Sequence, residues 1–79
     1  MKVRDANWTK MSKYLVVIEK AARNFSAYCP DLPGCVATGK TKRDVEKNIR
    51  GAIAMHLEGL RAEHLPVPPH STTAEYVAV

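Results

Sequence analysis

Apolar positions fall into four groups along the chain, each with its own period. Tyr14-Leu-Val-Val-Ile18 is apolar without interruption and is closed by Glu19-Lys20. β-Branched and aromatic content predicts a strand over 14–20, apolar on both faces, which belongs in the middle of a sheet or against another subunit. Ala21-Ala-Arg-Asn24 follows with hairpin length. Phe25-Ser-Ala-Tyr-Cys29 alternates, putting Phe25, Ala27 and Cys29 on one face and Ser26 and Tyr28 on the other. Pro30-Asp-Leu-Pro-Gly34 breaks the ladder, because each proline fixes its own φ and restricts its predecessor while glycine accepts positive φ. A short strand over Cys35–Thr38 comes next and is closed by Gly39.

The period then changes. Val45, Ile49, Ala52, Ile53, Leu57 and Leu60 recur at three- and four-residue steps, the mark of a helix with one apolar face. Thr41 is placed to cap it, with Asp44 three residues on. From Lys42 to about Arg61 such a helix would be roughly 30 Å long. Leu65-Pro-Val-Pro-Pro69 and His70-Ser-Thr-Thr73 read as an extended linker, and Ala74–Val79 as a last strand. The expected fold is therefore α+β, a two-layer β-β-β-α-β arrangement with one helix on one face. A right-handed crossover would set the last strand parallel to the first, in the order 3-2-1-4. One helix shields one face, so self-association as a homodimer or higher oligomer, or a partner, is expected on the other. Residues 1–12 read as an N-terminal tail and 13–79 as one domain.

Composition narrows the class. The 79 residues are 46% hydrophobic and 25% charged, which is too apolar for disorder and too broken by charge for a membrane span of roughly 20 residues. Met1–Lys10 carries positive charge with no apolar stretch behind it, so a secretory leader is not expected and the cytoplasm is the expected compartment. There, the two cysteines Cys29 and Cys35 default to small buried hydrophobes. A zinc site would need two more ligands from His56, His64 and His70, which lack metal spacing.

The histidines, cysteines and carboxylates offer no evident catalytic constellation. His56 falls on or beside the helix stripe, where a partly buried imidazole is ordinary, and His64 and His70 flank the proline linker. Of the eight carboxylates that could hold divalent ions in a nuclease, Asp44, Glu46, Glu58 and Glu63 belong to the helix or its end and Asp5 to the tail, and none interrupts the centre of the first strand. Gly34 and Gly39 are isolated and open no phosphate-binding loop. No enzyme, cofactor or metal is expected.

What remains is charge. The net charge of +4 includes Lys40, Lys42, Arg43, Lys47 and Arg50, crowded into the first half of the helix where the dipole disfavours cations by about 0.3–1 kcal/mol each. A solvated face explains them, with Glu46 reaching Arg50 at i+4. A nucleic-acid-binding or orphan interaction surface is the alternative.

Taken together, Tyr14-Leu-Val-Val-Ile-Glu19, Phe25-Ser-Ala-Tyr-Cys-Pro-Asp-Leu-Pro-Gly-Cys35, Thr38-Gly-Lys-Thr41 and Asn48-Ile-Arg-Gly-Ala-Ile53 resemble the HicB antitoxin family. The Pro-Asp-Leu-Pro-Gly-Cys turn is the most specific element, and the tail resembles the short stand-alone members without a C-terminal DNA-binding domain. The resemblance implies a partial ribonuclease-H-like sheet without catalytic acids. It also implies an antitoxin that binds a small HicA-type toxin, an mRNA-cleaving protein, and blocks its active site. On this reading the partner-binding residues would come from Asp31, Leu32, Pro33 and Gly34 in the turn and from Lys42, Arg43, Lys47 and Arg50 on the helix.

Overall fold

The computed structural model of the protein describes residues 13–79; the expected tail at 1–12 lies outside them. Among these residues three strands, β1 (Val17–Lys20), β2 (Phe25–Tyr28) and β3 (Val36–Gly39), precede one helix, α1 (Lys42–Ala62). The strands form an antiparallel meander in chain order, and α1 lies on one face, packed against β3 and β2. The α+β, two-layer expectation holds, and so does the sequence 3-2-1 for the first three strands.

Register sorts the side chains into rows. Ile18, Ala27 and Ala37 align across the sheet on the helix side. Val17, Tyr28 and Val36 align on the other. Ala27, Cys29, Leu32, Cys35, Val45, Ile49 and Leu57 form the buried core, flanked by Tyr14, Val16, Ile18, Phe25, Ala37, Ala52, Ile53 and Leu60. Both cysteines are free thiols within it, and burial pushes the Cys35 thiol up, with Cys29 adding to the shift.

Small residues beneath the helix set its distance from the sheet. At Gly39 a Cβ would stand 2.5 Å from the Val45 backbone nitrogen and 2.9 Å from Asp44 C, so β3 and the first turn of α1 touch backbone to backbone. The Asn48 side-chain amide donates to the Thr38 carbonyl at 2.8 Å and ties the same two elements together. The expected N-cap is present: Thr41 is extended, and its hydroxyl accepts from the Asp44 N–H at 3.0 Å. At the other end the His64 N–H donates to the Arg61 carbonyl at 3.0 Å and the Leu65 N–H to the Leu60 carbonyl at 2.8 Å. His64 takes φ 58°, making a Schellman ending without the usual glycine.

Two strand expectations are corrected. Pairing in β1 starts at Val17, not Tyr14, because its partner β2 ends at Tyr28, opposite Val17, and the chain then turns away. Among the described residues this strand also lies at an edge of the sheet and not in its middle. The fourth strand, expected over Ala74–Val79 beside β1, is not formed: the segment has no ladder, and Tyr76, Val77 and Val79 lie in solvent. A strand exists only with a neighbour to take its backbone hydrogen bonds, and here the preceding residues are held elsewhere.

Candidate protein-binding surface

The tail is fastened at two points after the helix. The Tyr14 hydroxyl donates to the Pro68 carbonyl at 2.6 Å, and the same ring meets His70 edge-to-face at 6.3 Å between centroids. Burial pushes the Tyr14 phenol up, with the neighbouring Cys29 and Asp31 adding to the shift and Arg61 opposing it. It therefore remains a donor at neutral pH. Asp31 then grips the next two residues. Its Oδ1 accepts the Thr72 hydroxyl at 2.6 Å and the Ser71 hydroxyl at 3.3 Å, and its Oδ2 accepts the Ser71 and Thr72 backbone N–H groups at 3.1 and 3.2 Å. The Thr72 hydroxyl is the main reason that the Asp31 carboxyl sits below its ordinary range; the two backbone donors and the Ser71 hydroxyl add to it, and partial desolvation opposes it.

Asp31 stands in the turn between β2 and β3, closed by Leu32 N–H to Cys29 carbonyl at 3.1 Å and Cys35 N–H to Leu32 carbonyl at 3.0 Å. Gly34 takes φ 84° there, the left-handed conformation that the sequence pattern called for. Of the turn residues expected to meet a partner, Leu32 is 0% exposed and anchors the core. Pro33 and Gly34 are exposed, and Asp31 is half-buried under the tail. Lys42, Arg43, Lys47 and Arg50 are all exposed on α1. Arg43, Lys47 and Arg50 share one face at i, i+4 and i+7, and their stripe is separate from the turn.

Two apolar surfaces lie apart from the turn and the helix stripe, the first on the sheet face where self-association or a partner was expected. On the sheet face away from α1, Val36 is 64% and Tyr28 43% exposed, continuing the row that starts at Val17. Between β1 and the first half of α1 lies an open groove of about 600 Å³, lined by Tyr14, Val16, Ile18, Ile49 and Ile53 with the charged Lys13, Glu46 and Arg50. It is there because α1 sits over β3 and β2, leaving the inner side of β1 partly covered. The apolar run at 14–18 signalled both surfaces, but assigning them required the register.

Among the described residues no group of three His, Cys, Asp or Glu side chains converges as a metal site, and no helix is long and apolar enough to cross a membrane.

The described residues thus form a small three-stranded sheet backed by one helix, with one sheet face that the helix does not cover. Residues 14–79 match the family described as HicB_like antitoxin of bacterial toxin-antitoxin system, and the chain belongs to that family. It is 43% identical over 56 residues to a UPF0150 protein of Synechocystis, covering 70% of this chain and 71% of that one. With a UPF0150 protein of Thermoplasma acidophilum it shares 37% over 57 residues, covering 71% and 83%. A 14.9 kDa protein of Haemophilus phage HP1 is 30% identical over 64 residues, covering 81% of this chain and 48% of the phage protein, so the chain spans about half the length of that relative. Among solved structures it is similar to a chain of the HicA3 and HicB3 toxin-antitoxin complex, with TM-score 0.61 and 38% identity over 73% of this chain and 70% of that one.

Proposed function

We propose that the protein is the antitoxin of a HicA/HicB-type pair: it binds a small mRNA-cleaving toxin in the cytoplasm and silences it by covering its catalytic surface, with no chemistry of its own. The observation that carries this reading is the likeness, in both fold and sequence, to a chain of a HicA–HicB complex. The bare sheet face supports it. Val17, Tyr28 and Val36 form an apolar row on a face that α1 does not shield, and exposed aromatic and aliphatic groups of this kind anchor protein interfaces. We assign that row, with Pro33 and Gly34 beside it in the chain, to toxin contact.

Co-expression with the product of the neighbouring reading frame is the test. The expected result is that the neighbour alone arrests growth, and that this chain restores growth and co-purifies with it. Tyr28→Glu should weaken co-purification while leaving the circular dichroism spectrum unchanged. If the neighbour is toxic and the wild-type chain neither rescues growth nor binds it, the reading is wrong.

The exposed stripe of Arg43, Lys47 and Arg50 favours a second reading, a nucleic-acid-binding module. Binding of that kind falls steeply with salt because each neutralised phosphate releases counterion. Failure to retard RNA or DNA at low salt would remove it.

A further inference from the structure

We propose that Ala74–Val79 adds as a strand to the free edge of β1 in a second copy of this chain, and that the exchange is reciprocal. The acceptor is the outer edge of β1. Among the described residues β1 is paired on one side only, and the groove beside it is lined by Tyr14, Val16, Ile18, Ile49 and Ile53. A sheet edge with unpaired N–H and C=O groups next to an apolar groove recognises an extended peptide: backbone bonds hold it, and alternate side chains fill the groove.

The donor is the tail. Beyond Thr72, the last residue fastened by bonds among the described residues, Tyr76, Val77 and Val79 are entirely or largely exposed. Tyr and Val are strand-forming types that gain most from burial. At about 3.3 Å per residue the six positions 74–79 reach roughly 20 Å, longer than β1. Their one charge, Glu75, complements Lys13 and Arg50 in the groove.

The fastenings explain why a second copy is the occupant. The tail passes the start of β1 at Tyr14–Pro68 and is then drawn across to the β2–β3 turn by Asp31. This path leads away from the free edge of its own β1. Every copy therefore carries one unfilled edge and one unpaired strand. A two-fold pair satisfies both at once and leaves neither over, whereas a different partner would have to cover two separate features.

Light scattering of the full chain, from low to high micromolar concentration, should report the mass of two chains. The chain truncated after Thr73 keeps every tail fastening and should report the mass of one, with an unchanged far-ultraviolet spectrum. Should truncation disturb the fold, Tyr76→Asp alters only a fully exposed side chain and should raise the dimer dissociation constant by about tenfold or more. A synthetic peptide spanning residues 73–79, added to the truncated chain, should shift the amide resonances of Lys13 to Ile18. A full chain that stays monomeric, a truncated chain that remains dimeric, or peptide-induced shifts confined to other elements would overturn the proposal. So would a monomer whose tail becomes protected only in complex with a toxin, which would make the toxin the occupant. The experiment needs this chain alone, so its outcome is independent of whether the antitoxin reading stands.

Discussion

Replacing Gly39 by alanine puts one methyl group where the structure has no room for it. The added carbon would sit 2.5 Å from the Val45 nitrogen and 2.9 Å from Asp44 C and Val45 Cα. Non-bonded heavy atoms prefer about 3.5–4.0 Å, so the start of α1 would have to lift by about 1 Å. Those neighbours are backbone and cannot rotate aside. Lys40 and Thr41 alone join β3 to α1, Asn48 pins the helix to Thr38, and Val45 is fully buried beneath it. Lifting the helix thus loosens the core. Overpacking of this kind costs about 1–3 kcal/mol. At roughly 4–8 °C per kcal/mol for a domain of this size, the melting temperature should fall by about 5–20 °C. Gly51→Ala provides the contrast, since nothing lies within 4 Å of a Cβ there and alanine in an exposed helix interior gains about 0.5–1 kcal/mol. Urea and thermal unfolding followed by circular dichroism would compare the two. Opposite signs are expected; a Gly39→Ala chain as stable as wild type would show that β3 and α1 are not in backbone contact.

Further expectations rest on the turn, the helix end and the tail. Gly34 needs its positive φ of 84°, so Gly34→Val should cost about 1–2 kcal/mol in thermal unfolding, and unchanged stability would remove the turn's dependence on glycine. His64 occupies the left-handed position at the end of α1 with φ 58°. His64→Gly should therefore stabilise by up to about 1 kcal/mol, and a loss of stability would mean that the imidazole makes a contact worth more than the strain. The Asp31 carboxyl is lowered in the folded chain, first by the Thr72 hydroxyl. Its contribution is then fully present above the ordinary aspartate value of about 3.9 and is lost as pH falls below that value through the depressed one. Amide exchange at Ser71 and Thr72 should accelerate only in that acidic window, and in Asp31→Asn it should be fast at neutral pH as well. Slow exchange at both positions in Asp31→Asn would show that the tail is held by something else.

Much of the fold was legible as local pattern. The helix from Lys42, its Thr41 cap, the alternation in 25–29 and the positive φ at Gly34 each depend on residues within a turn of one another, and steric and hydrogen-bonding preferences at that range are written directly into side-chain type. The motifs at 14–19, 25–35, 38–41 and 48–53 were enough to indicate the family. The long-range contacts were less legible. Asp31 was marked as a contact residue and proves to hold Ser71 and Thr72, 40 and 41 positions away. Leu32 was marked with it and is enclosed in the core. Tyr14 meets Pro68 across 54 positions, and nothing in either neighbourhood announces it. Ala74–Val79 has the composition of a strand and no partner within reach, while β1 is shortened because β2 ends opposite Val17. Propensity, then, specified what each segment could become. Which segments found partners was decided by where the folded chain brought distant donors, acceptors and edges together, since a strand or a latch takes its hydrogen bonds from residues that only tertiary structure supplies.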